Sequence, residues 1–158
     1  MPRIVLGVMY FSMKWACCAQ EAEVSPSYST STKTVLCVDD DQAILSYEKM
    51  LLESAGYAVL SAVSGTQALR LVTMCRCDIV LLDYEMPDTS GYDLAREIRR
   101  VRPELAIVLM FGTDVPTGAL ALVDAFMLKL EASHALLPVI EELCARPRLP
   151  EEGRGLAG

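Results

Sequence analysis

Basic side chains are in short supply: 14 Lys and Arg stand against 21 Asp and Glu in 158 residues, a net charge of −7. Nucleic-acid binding needs a basic face, so that class of partner is not expected. Histidine is rarer still, with His134 alone, and the six cysteines at 17, 18, 37, 75, 77 and 144 show no paired C-x-x-C spacing. A zinc centre of Cys and His ligands is therefore not expected either. The cysteines read as reduced thiols in a cytoplasm, Cys37 as a small core residue and Cys75 and Cys77 as the flanks of Arg76 at a helix end. Long apolar runs are missing too. The run from Ile4 to Phe11 is closed by Ser12 and Lys14, matches a secretory leader poorly, and falls short of the roughly 18 residues of a membrane span. No membrane association and a cytoplasmic location are the expectations.

What the chain does have is apolar bulk, 53% of residues with 22% charged and a mean hydropathy of +0.32, enough for one compact domain. Residues 1–33 carry three basic and two acidic side chains, ending in the Ser- and Thr-rich EAEVSPSYSTSTK, and read as a poorly ordered extension and linker. Residues 145–158, RPRLPEEGRGLAG after Ala145, read as a flexible tail. Between them, 34–144 hold 8 basic and 17 acidic residues, a net of −9. The acidity is concentrated where the chain can fold.

In that segment short apolar runs alternate with amphipathic stretches. VLCV (35–38) predicts a strand and is followed by a helix in which Ile44, Tyr47 and Leu51 share a face and which Gly56 closes. AVLSAV (58–63) is a second strand, and Ser64 caps a helix with Ala68, Val72 and Cys75 on one stripe. IVLL (79–82) is the third strand; Ser90 or Thr89 caps a helix with Leu94, Ile98 and Val101, stopped by Pro103. IVLM (107–110) and AFML (125–128) are the fourth and fifth strands. Leu136, Ile140 and Leu143 define a last helix whose cap is Ser133 or slightly earlier. Near-continuous Val, Ile and Leu implies strands buried on both faces, and strand–helix alternation implies right-handed crossovers. The fold class is a doubly wound α/β sandwich: a five-stranded parallel sheet with helices on both faces.

In such sheets ligands bind beyond the carboxyl ends of the strands. The residues found there are Asp39, Asp40 and Asp41 after the first strand, Asp83 after the third, Phe111 after the fourth and Lys129 after the fifth. Two carboxylates about 4 Å apart repel by ~4 kcal/mol at an effective dielectric near 20, so such a cluster must protonate or hold a cation. Carboxylates with waters and phosphate oxygens suit Mg²⁺. Asp41 has a simpler role available as the cap of the first helix.

VLCVDDD, DIVLLDYEMPDTSG and FMLK, in this order after these strands, resemble the response-regulator receiver domain of two-component signalling, the CheY-like family, over about residues 34–144. The resemblance implies strand order 2-1-3-4-5 and makes Asp83 the phosphoacceptor for a phosphoryl group from a histidine kinase or phosphotransfer protein. It implies Mg²⁺ as cofactor, with Asp40 the principal metal carboxylate, Asp39 holding a metal-bound water, and Asp83 and the backbone carbonyl of Glu85 as further ligands. Lys129 would pair with Asp83 before reaction and with a phosphoryl oxygen after it. No separate catalytic domain is implied; the chemistry is that of self-phosphorylation and autodephosphorylation. His134, alone in SHALLPVIEEL, lacks the setting of a phosphohistidine.

The sequence departs from that family around the switch. Phe111 stands where the family usually has Thr or Ser, whose hydrogen bond to a charged group is worth about 1.5–3 kcal/mol, or ten- to a hundredfold in a conformational equilibrium. Thr113 is the alternative hydroxyl if the loop is rearranged. Phe126 matches the family's mobile aromatic, and Phe111 filling the space below it would block that motion. Leu130 replaces the usual Pro after Lys129, so that peptide is expected trans and the amine differently aimed. The fourth helix is shortened to little beyond GALAL (118–122). The leading expectation is a stand-alone phospho-receiver whose output is contact with a downstream protein. The alternatives are a receiver-like interaction module working without phosphorylation and, on fold analogy alone, a Mg²⁺-dependent phosphohydrolase.

Overall fold

A computed structural model describes the backbone of residues 3–5 and 8–10 and the full structure of 32–112 and 121–146. Seven strands form one sheet: β1 (Arg3–Val5), β2 (Val8–Tyr10), β3 (Thr34–Val38), β4 (Ala58–Ala62), β5 (Ile79–Asp83), β6 (Ala106–Phe111) and β7 (Ala125–Leu128). Their order is β1-β2-β7-β6-β5-β3-β4, and the five from β3 onward are all parallel. Counted among themselves, those five run 2-1-3-4-5, the doubly wound order with its reversal between β3 and β5. Among the described residues the α-helices are α1 (Gln42–Ser54), α2 (Gly65–Met74), α3 (Gly91–Val101) and α4 (Ala132–Ala145).

Period-two alternation divides the core between the two sheet faces. Leu36, Val38, Val80, Leu82, Ile107 and Leu109 point to one side, where they pack on Ala68 and Val72 of α2 and on Leu94 and Ile98 of α3. Val35, Cys37, Ile79, Leu81, Val108 and Met110 point to the other, against Leu45 and Leu52 of α1 and Leu136, Val139 and Ile140 of α4. β5 is buried at every position. That burial is why IVLL reads as an unbroken apolar run and not as an alternation.

Helix ends follow the expected chemistry. The side chains of Ser64 and Ser90 accept from the backbone N–H groups of Gln67 and Asp93 at the starts of α2 and α3. Gly56, just past the end of α1, has φ +90, a left-handed geometry that favours glycine. The cap of α4 is Glu131, slightly before Ser133, and it makes no side-chain capping bond.

Three expectations need correction or fall outside the described residues. The N-terminal extension is not wholly outside the fold, because β1 and β2 form an antiparallel hairpin that pairs with β7 in the register Val8↔Met127 and Tyr10↔Ala125. An apolar run rich in strand-favouring residues finds the edge that β7 otherwise leaves open. Second, the buried stripe of α1 is Leu45, Glu48 and Leu52, while Tyr47 is 41% exposed. Both sets share the spacing of one helical face, and the apolar count alone chose the set without a charge. The shortened fourth helix, with Thr113, lies mostly on residues 113–120, outside the described structure, as does the tail from 147.

Glu48 is thus a carboxyl with 3% of its surface exposed. Burial pushes its pKa up to about 7, with the nearby Asp39 and Asp83 carboxylates adding to the rise and the Cys37 thiol and Lys129 opposing it. A native pKa above the unfolded one stabilises the fold below the unfolded value, and the gain is lost as pH rises through about 7. Glu48→Leu is therefore expected to raise the unfolding free energy by about 2 kcal/mol at about pH 8, and by clearly less at about pH 5. Urea unfolding at the two pH values measures it; an equal gain at both would contradict the burial of an ionising group.

Candidate functional site

Three loops at the carboxyl ends of the parallel strands supply the site. Asp39 follows β3, where its N–H donates to the Ala62 carbonyl at 3.2 Å and continues the β3–β4 ladder. Asp83 ends β5, and Lys129 follows β7 and opens a single 3-10 turn over Lys129–Glu131. Asp39 and Asp83 are each 3% exposed. Two buried carboxylates side by side need a counter-charge. Lys129 provides it: its Nζ lies 2.8 Å from Asp39 Oδ2 and 2.9 Å from Asp83 Oδ2.

The remaining oxygens are held by backbone. The N–H of Asp41 donates to Asp39 Oδ1 at 2.8 Å and that of Glu85 to Asp83 Oδ1 at 3.2 Å. Burial pushes the Asp83 pKa up, against the pull of Lys129 and the Glu85 N–H, while the nearby Asp39 charge adds to the rise. For Lys129, burial works against the charge, but the bonds to Asp39 and Asp83 outweigh it and its pKa is raised. The ammonium stays charged at neutral pH.

Asp40 is exposed, and oxygens of Asp39, Asp40 and Asp83 lie within 4.8 Å of one another. A set of hard oxygen donors with one solvent-facing member fits a small divalent cation that keeps several waters. Asp41 does what helix chemistry asks of it: its side chain accepts from Ala43 N–H at 2.7 Å as the cap of α1.

The loop after Asp83 is tightly drawn. Tyr84 N–H donates to the Met110 carbonyl at 2.8 Å, Gly91 N–H to the Tyr84 carbonyl at 2.9 Å, and Asp88 accepts from Gly65 N–H at 2.9 Å. Gly91 is required by close approach, since a Cβ there would sit 2.5 Å from the Asp83 carbonyl oxygen and 2.7 Å from Tyr84 Cα. The exposed Glu85 carries its side chain toward Gly112, at the end of β6. Among the described residues no peptide is cis, so Lys129–Leu130 runs trans as expected. Across that trans peptide the amine reaches both carboxylates.

Phe111 ends β6 and Phe126 lies in β7. Both are buried, with ring centroids 6.2 Å apart and planes inclined by 47°. Of the residues singled out in the sequence, Asp39, Asp40, Asp83 and Lys129 are brought together, and Phe111 and Phe126 meet beside them. Glu48 is the residue that sequence reasoning missed. Its signal was a charge at i+3 from Leu45 and four before Leu52, inside a buried stripe.

An α/β sheet with a buried aspartate at the end of its central strand, a bridging lysine and an acidic cluster defines a class of site suited to cation-assisted phosphoryl chemistry. The model of the response regulator receiver domain matches residues 35–130, and the chain belongs to that family. Among curated proteins, the response regulator MprA of Mycolicibacterium vanbaalenii is 32% identical in an alignment 130 positions long that covers 77% of this chain and 54% of that protein. The transcriptional regulatory protein GlrR of Escherichia coli is 30% identical over 68% of this chain and 25% of its own length. The chain thus spans about half the length of its mycobacterial relatives. Among solved structures, a CheY-like receiver domain from Methanospirillum hungatei superposes with a TM-score of 0.67 at 29% identity, covering 71% of this chain and 93% of that one. The response regulator TrrA of Thermotoga maritima, solved in complex with Mg²⁺ and BeF, gives 0.67 at 29% identity over 71% and 99%. TrrA has also been solved in complex with the histidine kinase ThkA.

Removing the shared ammonium leaves two buried carboxylates uncompensated. Lys129→Met is expected to destabilise the fold by about 2 kcal/mol, discounted for the partial exposure of the lysine. Adding Asp83→Asn to it should recover part of that loss. A double-mutant cycle by urea unfolding reads the coupling, and additive losses would mean that the two groups do not interact.

Proposed function

We propose that this receiver domain, spanning residues 34–144, accepts a phosphoryl group from a histidine kinase or phosphotransfer protein onto Asp83 and signals by contact with a downstream protein. The observation that carries the reading is the buried Asp83 carboxylate held by Lys129 on one oxygen and by the Glu85 N–H on the other. The complex of TrrA with a histidine kinase supports the same class of donor for this chain. Its net charge of −7 and the absence of a helix long and apolar enough to cross a membrane, among the described residues, agree with a cytoplasmic place without nucleic acid as direct partner.

In the reaction a carboxylate oxygen of Asp83 attacks phosphorus, a P–O bond forms, and the P–N bond to the donor imidazole breaks with its electron pair passing to the ring nitrogen. Asp40, Asp39, Asp83 and the Glu85 backbone carbonyl would hold Mg²⁺, which supplies charge neutralisation for the phosphoryl oxygens when bound. The Asp83 loop orients the nucleophile through the Glu85 N–H, and Gly91 leaves room behind it for that loop to close. Lys129 exchanges its bond to Asp83 for one to a phosphoryl oxygen, which keeps a cation against the developing charge.

A second reading draws on Phe111. Phe111 and Phe126 are buried against one another, a packing that would oppose the turning motion expected of the family's mobile aromatic. An interaction module that binds its partner in one fixed conformation, with no need of phosphate, follows from that packing.

Intact-protein mass after incubation with acetyl phosphate separates the two. One added phosphate on the wild type, lost in Asp83→Asn and in a Mg²⁺-depleted sample, is the expected result. A folded, Mg²⁺-binding wild type that takes phosphate neither from acetyl phosphate nor from a histidine kinase would leave the interaction module standing.

A further inference from the structure

The loop from Tyr84 to Ser90 joins the strand of Asp83 to α3, and the receiver reading uses only its Glu85. Backbone bonds fix its two ends: Tyr84 N–H donates to the Met110 carbonyl at 2.8 Å, Gly91 N–H to the Tyr84 carbonyl at 2.9 Å, and a single antiparallel bridge pairs Glu85 with Ser90. A further tie leaves the loop altogether. The Asp88 carboxylate accepts from the N–H of Gly65, the first residue of α2, at 2.9 Å. A helix start has four N–H groups without intrahelical partners. In α2 the Ser64 hydroxyl takes that of Gln67 and Asp88 takes that of Gly65, so one cap is local and the other comes from 23 positions away. The helix dipole favours a carboxylate in that place. The approach is also close: a Cβ on the buried Gly65 would stand 2.3 Å from Thr89 Cγ2. Among the described glycines only Gly56 has a positive φ, so Gly65 is needed for room and not for backbone freedom.

We propose that Asp88 is a positioning residue for the chemistry at Asp83: by fastening the loop to the first turn of α2, it sets where the backbone of Glu85 stands. The inference rests on the receiver reading. Glu85 N–H donates to Asp83 Oδ1 at 3.2 Å, and the Glu85 carbonyl is the backbone ligand that reading gives to Mg²⁺. One residue thus has a hold on both the nucleophile and the cation. The link from Asp88 back to Glu85 is short and stiff, because Met86 is buried in the core and Pro87 has a ring-locked φ. Loss of the bond to Gly65 would leave more of the ordering of Glu85 to be supplied when the cation binds, at a cost in affinity.

The test is the Mg²⁺ affinity of the unphosphorylated full chain, read from amide chemical shifts during titration with the metal alone. Asp88→Ala and Asp88→Asn lose the same charge, but the amide oxygen of Asn still accepts from Gly65 N–H, so the difference between the two reads the bond. The Kd for Mg²⁺ is expected to be about threefold to tenfold weaker in Asp88→Ala than in Asp88→Asn. Gly65→Ala changes no charge and puts a better helix former into α2, yet it should weaken Mg²⁺ binding by a similar factor through its collision with Thr89. Adding Thr89→Ser, which removes Cγ2 and keeps the hydroxyl, should restore the affinity. A residue that served stability alone would lower the urea midpoint of Asp88→Ala and leave the Kd of the folded chains unchanged. Equal affinities in the two Asp88 variants overturn the inference, and so does a loss in Gly65→Ala that Thr89→Ser fails to restore; neither result touches Asp83 as phosphoacceptor. A wild type that neither binds Mg²⁺ nor takes phosphate from any donor overturns the receiver reading and the inference together.

Discussion

The ammonium of Lys129 is the counter-charge on which the rest of the site depends. Asp39 and Asp83 are buried at the ends of two neighbouring parallel strands, and two carboxyl groups placed there side by side need a positive partner. The constraint works in both directions. The two carboxylates fix where the amine of a flexible side chain sits, and the amine opposes the rise that burial imposes on the Asp83 pKa. In the proposed reaction a phosphoryl group at Asp83 would bring oxygens that compete for the same cation, so the proposed chemistry and the contacts of Lys129 are tied to one ammonium.

Reaching that arrangement is a matter of sheet order. β3 and β5 are adjacent, with Val38 opposite Leu82, so the residues just past them fall side by side although 44 positions apart in sequence. β6 stands between β5 and β7, in the registers Asp83↔Met110 and Phe111↔Leu128. Lys129, one residue past Leu128, must therefore reach across a strand to Asp83. A lysine has the length to do so. Lys129 lines a cavity together with Met110 and Ala132, apolar neighbours on this side of the sheet.

How much of this was legible in the sequence depends on the kind of signal. The five parallel strands were, because burial on both faces leaves unbroken runs such as IVLL, and the caps Asp41, Ser64 and Ser90 were, because capping is local chemistry. Asp39, Asp83 and Lys129 could be named as strand-end residues before their distances were known. The face of α1 was not legible: two stripes one residue apart have the same spacing, and rejecting the one with Glu48 follows the ordinary rule that carboxylates stay in water. The hairpin of β1 and β2 was hidden for a different reason. Three-residue strands carry almost no periodicity, and what gives them a place is the free edge of β7, a tertiary fact.

The position of β7 is itself held from the far side of the domain. Arg99 of α3 donates through Nε to the Leu122 carbonyl at 2.8 Å and pairs with Asp124, whose carboxylate also accepts from Ile107 N–H at 2.8 Å. The guanidinium and the carboxylate together pin the entry of β7 to the start of β6, and the strand then runs through Phe126 to Lys129 with four residues between Asp124 and Lys129. With Phe126 packed on Phe111 halfway along, the segment has little freedom except at its last residues. Under the proposed phosphorylation of Asp83, two changes on this side of the sheet can be compared: movement of Lys129 and the 3-10 turn that follows it, toward α4, and displacement of the aromatic pair against the anchored start of the strand. The first changes only a side chain and one turn of backbone. The second must disturb a packed core, whose arrangements are discrete and resist small displacements. The charge balance around Lys129 is therefore the softer of the two, and the α1–α4 side of the sheet is where the proposed response to phosphate has the least to overcome.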